Sequence, residues 1–550
     1  MTLMHRLRGE TRTNSFPRKQ MKKRYMTLMA GVLCLASACK MDKFLDVNEN
    51  PNAPTNVSAN LYLAPMIHWM ITSPQFDGRY TTHYNQEMYS TSNTLFISWG
   101  RMGHDAGSVA AGAADNGGQQ WRDVYWSLGQ NLVDMMAKAE AEQRWDLLGV
   151  GYVLKAWGWQ SLTDLHGEII IKQAVDQTRF AFDYDTQEYA YTETQRLLGE
   201  AIKNLQRTDG AVDPTYLARG DKLFNGDRTR WLKLAYGMMA INLSHYTNKA
   251  SYKPAEVIAN VDKSFNSTAD EALFTFSNAS PDNADRNFLG PTRNNFTAYR
   301  ATNFALNLMN GTQFGGVVDP RMSRMIAPAP DGQFRGLDVN FLGFGALTPA
   351  QIPNNLFGYA VLPAAGSPSR YIFSDKIKFP VMTYAQLQFI KAEAAYRMGD
   401  KATALTAYKN GITSHFAFVN ARNAEDGFQT TQITNAERDT YINDPAITPA
   451  TLTLTHIMSQ KYIAQWGWAH NEIWMDLRRY HYTDVDPASG KQVFPGYTPP
   501  TALFVDNGGK VVQRIRPRFN SEYVWNRPGL DAIGGLAVDY QTKPLWITQP

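Results

Sequence analysis

Across residues 120–165 apolar side chains recur at intervals of three and four, the spacing that lines one face of an α-helix. Trp121, Val124, Tyr125, Leu128, Leu132 and Met135 form one such stripe. Trp145, Leu148, Tyr152, Ala156 and Leu162 form a second. The same period returns over 187–205, 228–246, 254–264 and 384–411, and in a long stretch over 452–477. Another helix is expected from about residue 58 through Leu61, Leu63, Met66, Ile67 and Met70. A chain with this many helix-period segments must bury them against one another, so the expected class is mainly α.

Two of these segments carry a finer pattern. Trp145, Leu148, Gly149 and Tyr152 reproduce the W-x-x-L-G-x-x-Y opening of a tetratricopeptide repeat. Ala392, Gly399-Asp400, Ala404, Tyr408 and Gly411 fall on the small and aromatic packing positions of a second unit. Small residues there let antiparallel helices approach closely, and Gly399-Asp400 makes the turn between them. A tetratricopeptide-like helical-repeat scaffold with insertions follows. The main insertion, about 265–380, loses the helical period and is rich in Gly and Pro, as at Gly290-Pro291 and Ala327-Pro328-Ala329-Pro330. It reads as a loop-rich lobe with a few short β-strands, near 272–276 and 376–379. Residues 74–118 mix aromatics with Asn, Ser, Thr and Gly and end in a Gly/Ala-rich loop.

The N-terminal end is of another kind. Met21-Lys22-Lys23-Arg24, the apolar run over 25–35 and Ala36-Ser37-Ala38-Cys39 have the form of a secretory leader, too short to span a bilayer. The cysteine after the small residues makes this a lipoprotein signal, residues 21–38, with Cys39 the lipidation site. Dual acylation suffices to hold a globule at a membrane. Residues 1–20 are polar and basic and are expected to precede the true start, at Met21 or Met26. Residues 39–57 read as a lipidated tether and N-terminal loop, and 58–550 as one domain carrying the insertion. The chain's +4 charge comes from 54 basic and 50 acidic residues. Residues 1–38 hold eight of the bases and one acid, leaving 46 against 49 beyond them, or −3. No basic surplus for nucleic acid survives that division. Of the two cysteines, Cys34 lies inside the leader and Cys39 is the lipidation site directly after it. The expected exported domain is therefore held by its core rather than by disulfides.

Several blocks, in order, resemble the SusD/RagB family of Bacteroidota outer-membrane lipoproteins. They are the lipobox with Phe44-Leu45-Asp46 and Asn50-Pro51; Trp121-x-x-x-Tyr125; Leu162-Thr163-Asp164 with Gly167; Gly226-Asp227 with Trp231; Ala392-Glu393-Ala394-Ala395-Tyr396-Arg397; Gln460-Lys461-Tyr462 with Glu472-x-Trp474-x-Asp476-x-Arg478-Arg479; and Pro517-Arg518 with Glu522 and Asn526. Tyr480-His481-Tyr482-Thr483 departs from the family's Thr-Gly-Tyr-Pro, and Lys40-Met41-Asp42 is only thinly acidic. The resemblance implies a lipid-anchored protein of the cell outer membrane, facing outward. It implies a SusC-like TonB-dependent transporter as partner, over which this protein closes as a lid after capturing a nutrient, most often an oligosaccharide. A peptide ligand is the alternative within the family. A tethered glycoside hydrolase and a scaffold binding only protein are rivals from other classes.

No metal-protease, phosphate-loop or nucleophile-elbow motif is present in the sequence. No cofactor, metal or catalytic residue is expected. Asp282-Asn283-Ala284-Asp285 and Asp484-Val485-Asp486 read as surface turns in preference to calcium loops. Glu472, Asp476 and Arg479 share a helix face and are expected to pair structurally. Asp164 is expected to fix the turn before Gly167. The ligand candidates are aromatics in loop context, able to cover the apolar face of a pyranose: Tyr80, Tyr84, Tyr89, Phe96, Trp99, Phe296 and Tyr299.

Overall fold

The computed structural model describes residues 57–90, 117–340, 344–501, 503–517 and 521–550. The leader, Cys39, Phe96 and Trp99 lie outside the described residues. Helices form where the period-3.6 stripes place them: α1 (Leu63–Asn85), α2 (Gly129–Ala141), α3 (Trp145–His166), α4 (Gln187–Gln206), α5 (Arg228–Ser244) and α6 (Pro254–Lys263). After the insertion come α7 (Tyr384–Met398), α8 (Lys401–Glu425), α9 (Asn435–Asn443), α10 (Leu454–Gln465) and α11 (His470–Arg479). Consecutive helices pack side by side, α2 on α3, α3 on α4, α4 on α5, α5 on α6, α6 on α7 and α7 on α8. The class is mainly α. Among the described residues, no helix is long and apolar enough to cross a membrane.

The repeat positions act as their residue types require. A Cβ on Gly149 would meet Leu205 Cγ at 2.6 Å, so glycine is what lets α3 lie close to α4. Gly411 stands in the same relation to the Phe389 ring between α8 and α7. Gly399, at φ 78°, closes α7 in the left-handed region that costs glycine nothing. Asp400 then caps α8 by accepting from the Thr403 N–H. Thr186, Asp227 and Thr383 cap α4, α5 and α7 in the same way.

Two short antiparallel sheets fasten the loop-rich lobe to the helices. β1 (Met88–Ser90), directly after α1, pairs with β3 (Tyr299–Ala301), Tyr89 opposite Arg300. β2 (Ala272–Phe276) pairs with β4 (Ile377–Met382), which leads into α7, with an irregularity at Ala272/Leu273.

Two expected helices are interrupted. The stretch over 452–477 breaks into α10 and α11 at Gly467, φ 87°. The buried Glu87 carboxylate accepts from the Gly467 N–H, and Glu87's carbonyl accepts from Trp466 Nε1. An interaction across more than 370 residues thus overrides local propensity. The segment before α2 is a π-helical turn, Asp123–Leu128, after one α-turn, Gln119–Arg122. The widened turn keeps Asp123 buried, accepting from Gln119 and Ser127, and leaves Trp126 80% exposed.

Candidate functional site

Four of the predicted ligand aromatics are structural. Tyr84 stacks on Trp474, with centroids 5.6 Å apart. Tyr89 packs edge-on to His83 from β1. Phe296 lies 4.7 Å from Tyr299, whose hydroxyl donates to the Arg79 carbonyl. All four are buried. Their rings pack against protein: Tyr89, Phe296 and Tyr299 beside α1, β1 and β3, and Tyr84 against α11. Tyr80 is half-buried beside the Arg79 guanidinium, 5.5 Å away.

Next to this aromatic layer the structure opens a cleft of about 660 Å³. One wall is a face of α1, where Pro65, Trp69, Thr72 and Phe76 follow at helical spacing. The other wall is Phe274 of β2 with Asn283, Phe288 and Arg293 from the inserted lobe. Gln119 and Arg122 complete the lining. Trp69 and Phe76 are half-buried and present ring surface, while Phe288 is buried behind them, 5.4 Å from Phe76. Arg122 stands 5.8 Å from the Trp69 ring, and Arg293 5.3 Å from that of Phe288. Arg79 lies over Phe76 at 3.9 Å. Burial, then the Arg293 cation, lowers the pKa of His68, which packs edge-on against Trp69. His68 is thus a neutral group in the wall at pH 7. Aromatic faces edged by guanidinium and amide donors suit a neutral, hydroxyl-rich ligand with one apolar face.

The sequence reading missed this cleft, although one signal existed. The apolar stripe of Met66, Ile67 and Met70 fixes which side of α1 is buried, and Trp69 and Phe76 fall away from it. The opposing residues of the lobe have no such periodicity.

The acids at 164, 472 and 476 have partners within the fold. The turn before Gly167 is closed by Thr163, whose hydroxyl donates to the Gly167 carbonyl. Asp164 instead accepts from Gln160 Nε2 at 2.8 Å and from the Tyr191 hydroxyl at 2.5 Å. His245 stands between two carboxylates, Nε2 3.2 Å from Glu472 and Nδ1 3.7 Å from Asp164. The ligand atoms of these three residues lie within 4.8 Å of one another. The ring, however, turns opposite nitrogens to the two acids, with the Tyr191 hydroxyl 3.0 Å from Nδ1 on the Asp164 side, which is the geometry of an imidazolium held between two carboxylates rather than a chelate. The Asp476–Arg479 pair forms as expected, but Glu472 pairs with His245 and not on its own helix face.

Burial disfavours the His245 cation, but Glu472 and Asp164 outweigh it and raise the pKa to about 9. A folded pKa above the free value of 6.5 gives stabilisation that is complete below pH 6.5 and lost as pH rises through about 9. The shift corresponds to about 3 kcal/mol. Urea unfolding should therefore show wild type and His245→Gln well separated at pH 6 and converging by pH 10; a gap independent of pH contradicts the paired imidazolium.

A family model described as "starch-binding associating with outer membrane" matches residues 51–497. No curated relative matches significantly. Among solved structures, a SusD/RagB family protein from Bacteroides thetaiotaomicron VPI-5482 is 23% identical, with a TM-score of 0.64 over 90% of this chain and 99% of its own. A SusD homologue from Bacteroides fragilis NCTC 9343 is 19% identical, with a TM-score of 0.67 over 90% and 100%. A chitin-binding SusD homologue from Flavobacterium johnsoniae is 18% identical, with a TM-score of 0.65 over 89% and 98%. At these identities the likeness to solved structures is one of fold.

Proposed function

Because this chain belongs to the SusD-like family, described as starch-binding and associating with the outer membrane, we propose that it captures an oligosaccharide in the Trp69 cleft for uptake. The observation that carries this reading is the pairing of half-buried rings, Trp69 and Phe76, with Arg122, Arg293, Gln119 and Asn283 around one opening. A sugar ring has the same two-sided character, with C–H groups on a face and hydroxyls at its edge. The protein is held at the outer membrane through lipidated Cys39 and serves as lid to a SusC-like TonB-dependent transporter. It makes and breaks no bond in the glycan; Asp164, Glu472 and Asp476 are committed to Tyr191, His245, Lys461 and Arg479.

Two experiments test the two halves of the proposal. Affinity electrophoresis through gels containing starch, chitin derivatives and other soluble polysaccharides should retard the protein with at least one of them, without release of reducing sugar. Pull-down from outer membranes in mild detergent should recover a TonB-dependent barrel in stoichiometric amount. Loss of the barrel with the protein intact would sink the lid role, and hydrolysis of a retarding glycan would make the protein an enzyme instead.

A further inference from the structure

A second cavity, of about 240 Å³, lies inside the helical scaffold between α2 and α3. Its α2 side is Leu132, Val133 and Met136 and its α3 side is Leu148, Tyr152 and Trp159, with Ile171 and Ala174 of the following loop across one end. The π-helical turn supplies Val124, Tyr125 and Leu128. Gly129 also lines it, and a Cβ placed there finds nothing within 4 Å. An apolar void of about 150 Å³ already accommodates benzene, so this one has room for an aryl or branched alkyl group.

Two donors in this lining have no protein acceptor among the described residues. Trp159 is 6% exposed, and its indole N–H has no hydrogen-bond partner among the described residues. Leaving a buried donor unpaired costs about 1–3 kcal/mol unless something binds it. Lys155, four residues earlier and therefore on the same face of α3, also lines the cavity and makes no ion pair among the described residues. Burial lowers its pKa. The Glu193 carboxylate that acts on it is hydrogen-bonded to Arg196 through both oxygens. The other charge in the lining, Glu140, belongs to the last turn of α2.

We propose that this cavity is a binding site for a small apolar monocarboxylate, its hydrocarbon part inside and its carboxylate held by Lys155 and the Trp159 N–H. Lys155 and Trp159, one helical turn apart, put an ammonium and an indole N–H in the same lining, and charge-assisted hydrogen bonds to a carboxylate are stronger than neutral ones. The apolar wall excludes sugars and other heavily hydroxylated ligands. The site is thus chemically distinct from the Trp69 cleft and does not depend on it.

The test is calorimetric titration of the purified chain with 3-phenylpropionate and with its uncharged analogue 3-phenylpropan-1-ol. The acid is expected to bind one-to-one and at least about tenfold more tightly than the alcohol. Lys155→Met should remove that preference while leaving the alcohol's affinity unchanged, and Trp159→Phe should weaken the acid more than the alcohol. Equal affinity for acid and alcohol overturns the proposal, as does absence of saturable binding of the acid in the millimolar range. Should either variant fail to fold, the acid-to-alcohol ratio on the wild-type chain decides alone.

Discussion

Asp476→Ala is expected to destabilise the fold by about 3–5 kcal/mol, the cost of leaving buried charges without their partner. Asp476 receives Lys461 Nζ at 2.8 Å and Arg479 Nη2 at 2.5 Å, and all three side chains are essentially inaccessible. Arg479 in turn grips Glu393 through both terminal nitrogens, at 2.9 and 3.1 Å, and Tyr480 donates to the same carboxylate. Burial alone would raise the pKa of Glu393, but Arg479, with Arg397 and Lys461, holds it well below the carboxylate range. The network ties α10 and α11 to α7, the helices that carry the end of the repeat scaffold. Removing Asp476 strands the Lys461 ammonium, for which no other acid lies within ion-pair distance among the described residues. A double change of Lys461→Met with Asp476→Leu removes both charges together and is expected to cost much less. Urea unfolding at pH 7 separates the cases. Asp476→Ala within about 1 kcal/mol of wild type would mean that the pair contributes little net stability.

Trp69→Ala is expected to weaken glycan affinity roughly 30- to 100-fold, or about 2–3 kcal/mol, the range for truncating a central aromatic anchor. Trp69 has the position such an anchor needs: it is half-buried in the cleft wall, it stands at the centre of the α1 face, and Arg122 stands over its ring. Trp69 also packs in part against the core, so truncation lowers stability as well, but by less than loss of a fully enclosed ring. Trp69→Phe should retain most of the affinity. Tyr84→Ala, Tyr89→Ala and Tyr299→Ala provide the contrast. These side chains are packed on all sides, and their loss should lower stability by several kcal/mol, as large-to-small core substitutions do. Isothermal titration with the retarding oligosaccharide, beside thermal melts of each variant, separates the two kinds of residue. Unchanged affinity in folded Trp69→Ala would remove the cleft from the account.

The helical scaffold was legible because its signals are local. The Trp145–Tyr152 stripe, the glycines at 149 and 411 and the Gly399-Asp400 turn each depend on neighbours within a few turns. The features that sequence reading misplaced depend on distant residues. Gly467 breaks a helix because Glu87 is beneath it, and Asp164 is drawn to Tyr191 and His245 instead of to its own turn. The ligand aromatics were sought in loops because exposed rings belong there. In the described residues, Tyr84 belongs to a helix, Tyr89 and Tyr299 to strands, and all are enclosed. The ring surface that lines the cleft is on α1 instead. Its partners, Asn283, Phe288 and Arg293, come from a lobe whose path no periodicity predicts.

The central claim is that a sugar is held between α1 and the inserted lobe, and hydrogen exchange read by mass spectrometry tests it most directly. With the retarding oligosaccharide bound, peptides spanning 63–76 and 283–293 are expected to gain protection, while those over 145–166 remain unchanged. Protection confined to other segments, with binding intact, would contradict the assignment of the glycan to this cleft.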